Sequence, residues 1–179
     1  MSSGHPYART AKGFAQILGA ARAAGLNARA SSRNSLVQKA ERDEAFFLVL
    51  NDPTMAAAIY NAREMLPGFL ALANRPGPTM AGFAVKIARI ADGGLEYFWI
   101  HPFAHVEKRF VGQINNTPRS AVNLKIGDTV TFTEPEIVDW MYMDGGRMLG
   151  NYSARAMLRS ALPQDREAFM RRFGLDFDF

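Results

Sequence analysis

The stretch "EIVDWMYMDGGRMLGNYSAR", residues 136–155, decides the fold. Its first half is aromatic and β-branched, which is typical of a strand. Asp144 to Arg147 form a tight turn whose two glycines tolerate positive φ, so the following "RMLG" is expected to return as a second strand. Asn151 or Ser153 then caps a helix over residues 154–161. The stretch is therefore predicted to be a β-hairpin that leads into a helix.

Four further strands are predicted upstream, where the apolar pattern has a period of two and turn residues separate the segments. They are "FAVKIARI" (83–90), "LEYFWIHPF" (95–103), "RFVGQIN" (109–115) and "DTVTFT" (128–133). Short links between successive strands favour an antiparallel meander, curved or partly closed.

Two helical regions flank these strands. Asp52 and Pro53 are a good helix cap and first helical residue, and an apolar stripe follows them as far as Ala73. Pro67 is expected to kink or restart that helix, because proline removes a hydrogen bond in mid-helix. Pro163 opens a last helix that ends at Gly174.

The first fifty residues are predicted to contain a helix at 10–24, a mobile linker at 27–34, a second helical segment at 36–42 and a buried strand "AFFLVL" at 45–50. Together these elements predict an α+β fold: N-terminal helices, then a curved antiparallel sheet of five to six strands that is partly barrel-like, then two C-terminal helices. Residues 1–50 are interpreted as a basic N-terminal extension, and residues 51–179 as a single α+β domain.

Composition excludes several classes of protein. The 179 residues include no cysteine, which rules out disulfides and thiolate metal sites or nucleophiles. No run of 18 apolar residues occurs, so no membrane span is predicted, and the first residues lack the layout of a secretory signal. These features together predict a cytoplasmic protein.

Charge is concentrated at the N-terminus, where residues 1–40 carry six basic residues and no acid, whereas the whole chain has a net charge of +4. Such a basic arm could bind nucleic acid or an anionic surface. Its cations are spread out and lack interleaved aromatic residues, which disfavours nucleic acid.

Several motifs in this order resemble the YegJ-like bacterial family known as domain of unknown function 2314, over about residues 52–170. The most specific ones are Phe110-x-Gly112, Asn116-Thr117-Pro118, Gly127-Asp128, and Asp139-Trp140-Met141-Tyr142 followed by Gly150. The resemblance implies a bacterial α+β domain. It implies no reaction, cofactor or catalytic residue.

Aromatic and charged side chains near the strands are the candidate binding residues. Tyr97, Trp99 and His101 share one face of a strand, which either packs under helices or forms an aromatic platform for a ligand. Asp139 stands between apolar neighbours and must be solvated or paired, and Arg155 in the following helix could reach it. The full set is Tyr97, Trp99, His101, Asp139, Trp140, Tyr142 and Arg155.

Catalytic and metal-binding alternatives are weaker. Asp139 and Asp144 are five positions apart on a strand and point to opposite faces, and Asp144 suits a turn. His101 and His105 lack the further converging ligands that zinc requires, so they are interpreted as a solvated strand end. No catalytic residue, metal site or cofactor is predicted.

Aromatic side chains are plentiful and converging ionisable groups are scarce, which favours a non-catalytic binding module for a protein or a small ligand. One alternative is a hydrolase that uses Asp139, Arg155 and His101 in a cleft between the sheet and the C-terminal helices. The other is binding of nucleic acid or an anionic surface by the N-terminal arm.

Overall fold

A computed structural model describes residues 53–91, 94–119 and 121–173. The helices, linker and strand predicted between residues 10 and 50 lie outside these ranges. The helices are α1 (Pro53–Asn74), α2 (Tyr152–Arg159) and α3 (Pro163–Phe173). The strands are β1 (Met80–Ala91), β2 (Gly94–Val106), β3 (Arg109–Ile114), β4 (Thr129–Phe132), β5 (Ile137–Asp144) and β6 (Arg147–Gly150).

The chain divides into two compact units. One is Ile59–Tyr152, which contains the whole sheet and most of α1. The other combines Met1–Ala58 with Ser153–Phe179, and its described parts are the first turns of α1, nearly all of α2, and α3. The predicted single domain over 51–179 stays a prediction.

An antiparallel sheet of six strands confirms the α+β class, and all the strands predicted between residues 83 and 150 are present. Its order is β4-β3-β2-β1-β5-β6. The first four strands form the expected meander, but β5 returns beside β1, so a meander of all strands was wrong. The sheet is not closed into a barrel, since β4 and β6 are its two edges; the partly barrel-like prediction was also wrong.

The short link between β4 and β5 requires a strongly curved sheet. Only residues 133–136 lie between these strands, and three of them form a turn of 3₁₀ helix. Even fully extended, the link would span at most about 18 Å, whereas a flat sheet would set β4 and β5 about 19 Å apart. The expected curvature is therefore present.

Arg89 of β1 holds this curved end of the sheet together. Its Nε lies 2.9 Å from Oε1 of Glu136, and its guanidinium also donates to the carbonyl of Thr131 in β4. Partial burial raises the pKa of Glu136, but hydrogen bonds from Arg89 and Thr133 outweigh burial and hold this pKa below its usual range. One arginine thus links β1, the edge strand β4 and the turn into β5.

The core lies between α1 and one face of the sheet. Ala62, Leu66 and Phe69 are buried on the predicted stripe of α1. They pack against strand residues that include Val85, Ile87, Phe98, Ile100, Phe110, Phe132 and Trp140. The helix runs through Pro67 as one element, so no restart occurs. Pro67 is exposed, which places its ring away from the packed stripe.

Gly112 of the Phe-x-Gly motif lies opposite an irregularity in β2, where three positions of β2 face two of β3. A Cβ at this residue would lie 2.7 Å from the carbonyl oxygen of Pro102 and 2.9 Å from Cβ of Phe103, and closer still to a methyl of Ile100. Backbone and core atoms on three sides therefore exclude any side chain here.

Gly112→Ala is expected to lower the free energy of unfolding by about 2–3 kcal/mol, because overpacking a tight site forces backbone shifts. Gly68→Ala is the matched control, since a Cβ there meets nothing within 4 Å. Because Gly68 lies inside α1, this control should raise stability by about 0.5–1 kcal/mol. Urea denaturation measures both, and a Gly112→Ala protein as stable as the parent would contradict the close approach.

Candidate functional site

A row of three side chains crosses the centre of the sheet on the face opposite α1. Lys86 of β1 lies directly opposite Trp99 of β2 and Asp139 of β5. We call these three residues the central row. Lys86 is 2% exposed and Asp139 is 1% exposed, and Nζ of Lys86 lies 4.5 Å from the centre of the Trp99 ring. The ammonium group is therefore within cation–π range of the indole.

Tyr97 and His101 share this face with Trp99, because side chains alternate along a strand. All three are partly buried, while Phe98 and Ile100 on the other face are fully buried in the core. Burial raises the pKa of the Tyr97 hydroxyl. Nδ1 of His101 lies 2.8 Å from the carbonyl oxygen of Phe83. The structure thus brings three of the predicted binding residues together on one strand.

Asn116 holds the part of β2 that carries these residues. Its Oδ1 accepts the backbone N–H of Trp99 at 2.7 Å, and its Nδ2 donates to the carbonyl of Tyr97 at 3.3 Å. The side-chain amide continues the hydrogen-bond ladder where β3 has ended. Sequence reasoning had interpreted this residue only as part of a turn.

An extra residue in β5 places Ile137 and Trp140, which are three positions apart, on the same face of the sheet. Lys86 pairs with Asp139 and Ile87 with Ile137, so Val138 has no partner of its own in β1. This β-bulge changes the alternation. As a result Ile137 and Trp140 both face the α1 core, and Asp139 faces the central row.

Asp139 fixes the start of α2. Its Oδ1 accepts the backbone N–H of Trp140 at 2.8 Å and that of Tyr152 at 3.1 Å. Tyr152 is the first residue of α2, and a carboxylate at a helix N-terminus is favourable. The backbone N–H of Asn151 also donates to the carbonyl of Trp140 at 2.7 Å. The Asp139 carboxylate therefore has a structural role, which is to accept backbone N–H groups of β5 and of the first residue of α2.

Trp140 and Tyr142 lie in the core on the opposite face from Tyr97. The Trp140 ring stacks on Phe69 at 4.8 Å, and its Nε1 donates to the carbonyl of Ala62 at 2.8 Å. Tyr142 stacks on Phe83 at 4.9 Å, and burial, with the negative charge of Asp144, raises its pKa. A ligand bound on the sheet face that carries Tyr97 would contact neither the Trp140 ring nor the Tyr142 ring. Ligand binding by Trp140 and Tyr142 therefore stays a prediction.

Arg155 belongs to the other compact unit, so its predicted pairing with Asp139 also stays a prediction. Asp144 accepts the hydroxyl hydrogen bond of Thr79 at 2.5 Å and begins the hairpin turn, where Gly145 and Gly146 have φ of 55° and 88°. The predicted turn is confirmed.

Sequence reasoning missed two buried charges, Lys86 and Glu96. Each stands among mostly apolar neighbours in its strand, and each is 2% exposed. Glu96 faces the core side of β2, where Oε2 accepts the backbone N–H of Ala121 at 2.9 Å. The available signal was a charged residue inside the apolar runs "FAVKI" and "LEYFWI".

No group of three histidine, cysteine, aspartate or glutamate side chains is placed to hold a metal ion within residues 53–91, 94–119 and 121–173. In the same ranges, no helix combines the length and the apolar character needed to cross a bilayer.

Comparisons with known proteins identify bacterial relatives. The family model described as "Uncharacterized protein conserved in bacteria (DUF2314)" matches residues 52–177. The chain is 30% identical to the uncharacterized protein YegJ of Escherichia coli K12 over 104 residues, which cover 58% of this chain and 67% of YegJ. It is 27% identical over 97 residues to a putative ankyrin repeat protein of Neisseria meningitidis serogroup B, covering 52% of this chain and 38% of that protein. No solved structure matches the chain.

Asp139→Ala is expected to lower the free energy of unfolding by about 2–4 kcal/mol, because it leaves the N–H groups of Trp140 and Tyr152 without their acceptor. Asp139→Asn keeps a side-chain oxygen and should cost less. Asp144→Ala, on the same strand, removes one exposed hydrogen bond and should cost about 1 kcal/mol or less. Equal losses for Asp139→Ala and Asp144→Ala in urea denaturation would contradict the role of Asp139.

Proposed function

We propose that this chain, which belongs to the DUF2314 family of uncharacterized proteins conserved in bacteria, is a non-catalytic module that binds a protein segment or a small ligand. The observation that carries the proposal is that Tyr97, Trp99 and His101 are partly buried on one face of β2. We call this surface the Tyr97 face. Large aromatic side chains with a polar end are the residues that most often dominate binding energy.

The rigidity of this strand supports the proposal. Asn116 bonds both Tyr97 and Trp99 through its side-chain amide, and the Lys86 ammonium lies over the Trp99 ring. A surface that is ordered before binding loses less conformational entropy when a ligand arrives. The aromatic face thus combines contact area, a nearby positive charge and a fixed backbone.

The register of the sheet argues against the hydrolase alternative. Asp139 and His101 stand on strands separated by β1, and they are offset by two residues along the strands. Two strand spacings and this offset put their Cα atoms about 12 Å apart. General acid–base catalysis requires hydrogen-bond reach, and both side chains already bond to backbone groups.

The ankyrin relative favours a protein as the partner. That protein is named a putative ankyrin repeat protein, and ankyrin repeats stack into extended binding surfaces. We propose that this chain likewise binds a protein. A cytoplasmic location, which a cysteine-free chain suits, belongs to the same proposal. Docking through the basic N-terminal arm, including on nucleic acid, stays a prediction outside the described residues.

Trp99→Ala should weaken binding about tenfold or more, because it removes the central aromatic contact. Immobilised full-length chain is exposed to bacterial lysate, and retained proteins and small molecules are measured by mass spectrometry. Tyr60→Ala is the matched control, since Tyr60 is 64% exposed on α1.

Tyr97→Ala serves as a second test variant, and thermal melting verifies that each protein folds. The expected pattern is retention by the parent and by Tyr60→Ala, with loss in both β2 variants. Equal retention by all four proteins, or retention by none, would contradict the proposed binding face.

A further inference from the structure

We propose that the loop between β3 and β4, residues 115–128, docks on an anionic lipid surface. This inference concerns a surface other than the Tyr97 face, and it goes beyond the proposed binding function. The structure describes this loop except at position 120.

Aliphatic side chains stand exposed at this end of the sheet. Val122 is 80% exposed and Ile126 is 58% exposed, both within the loop. Ile90, at the end of β1, is 89% exposed and pairs with Leu95, the neighbour of Glu96. Ile90 and Val122 are the two most exposed large apolar side chains among the described residues. They lie at the same end because Glu96 binds the loop.

Buried and backbone groups brace the loop that presents these side chains. The carboxylate of Glu96 accepts the backbone N–H of Arg119 at 2.5 Å and that of Ala121 at 2.9 Å. On the returning side, the N–H of Gly127 donates to the carbonyl of Ile114 at 2.8 Å, and that of Lys125 donates to Asp128 at 3.0 Å. The exposed aliphatic residues are thus held at the surface on both sides of the loop.

The charge pattern identifies the kind of surface that fits. Residues 115–128 contain two basic residues, Arg119 and Lys125, and one acid, Asp128, whose carboxylate accepts the backbone N–H of Lys125. Cations are attracted to anionic headgroups, while aliphatic side chains enter the apolar boundary below them. Exposed aliphatic side chains beside two cations therefore fit an anionic lipid surface.

Vesicle sedimentation with the full-length chain tests this inference. Vesicles of phosphatidylcholine alone are compared with vesicles that also contain phosphatidylglycerol, at low and at raised salt. Binding is expected only with phosphatidylglycerol, and it should weaken as salt screens the headgroup charge. Val122→Asp should reduce the partition coefficient about tenfold, because it replaces an inserted apolar group by a repelled charge.

Two matched control positions lie where β2 ends and turns into β3, at the opposite end of β2 from Glu96. Val106→Asp changes a 50% exposed valine, and Lys108→Glu matches a Lys125→Glu variant in charge. Both controls should bind vesicles like the parent. Lys125→Glu should reduce binding to the anionic vesicles. Circular dichroism verifies folding, which these exposed positions should leave unchanged.

Three outcomes would overturn the inference. The parent chain could fail to bind either kind of vesicle at low salt. Binding could be equal in the parent and Val122→Asp, which is the result expected if the basic N-terminal arm alone holds the lipid. Val122→Asp could instead alter only the molar mass in light scattering without vesicles, which would make this end of the sheet a contact between copies.

Discussion

Adjacent side chains of β5 that face opposite sides of the sheet are the constraint on which the remaining structure depends. Asp139 faces the central row and Trp140 faces the α1 core, and the unpaired Val138 lets Ile137 face that core as well. Trp140 then ties the sheet to α1 through its stack on Phe69 and its bond to the carbonyl of Ala62. Asp139 fixes the first residue of α2. These two neighbouring residues of β5 therefore bond to α1 and to the first residue of α2.

The residues that mark the family have structural reasons to be what they are. Gly112 leaves room for the pairing irregularity in β2. Asn116 extends the hydrogen bonds of β2 beyond the end of β3. Gly150 has φ of 76°, and a Cβ there would overlap the Trp140 carbonyl and approach its ring to 2.5 Å. These positions explain why the fold is recognisable from sequence. The side chains of the proposed binding face, Tyr97 and Trp99, are separate from these structural positions.

Local signals in the sequence predicted most of the strands and turns. They did not predict which strands pair with each other. The double glycine at 145–146 and the alternating runs act within a few residues, so strands and turns were identified correctly. Which strand β5 joins depends on sheet curvature and on Arg89, and no local pattern encodes that choice. Ile137 and Trp140 share a face because of a bulge that a period of two does not reveal. A charged residue in a strand normally indicates a solvent-exposed position, so the burial of Lys86 and Glu96 was not predicted.

Hydrogen exchange of the two tryptophan indole N–H groups tests the central role of Trp140 most directly. The chain has only two tryptophans, so two indole signals are expected by nuclear magnetic resonance, and a Trp99→Phe variant assigns them. The Trp140 indole proton should exchange only when the packing of α1 on the sheet opens, because it is buried and bonded to Ala62. The Trp99 proton, on a partly buried ring, should exchange much faster. Rapid exchange of both protons in the folded protein would contradict the account.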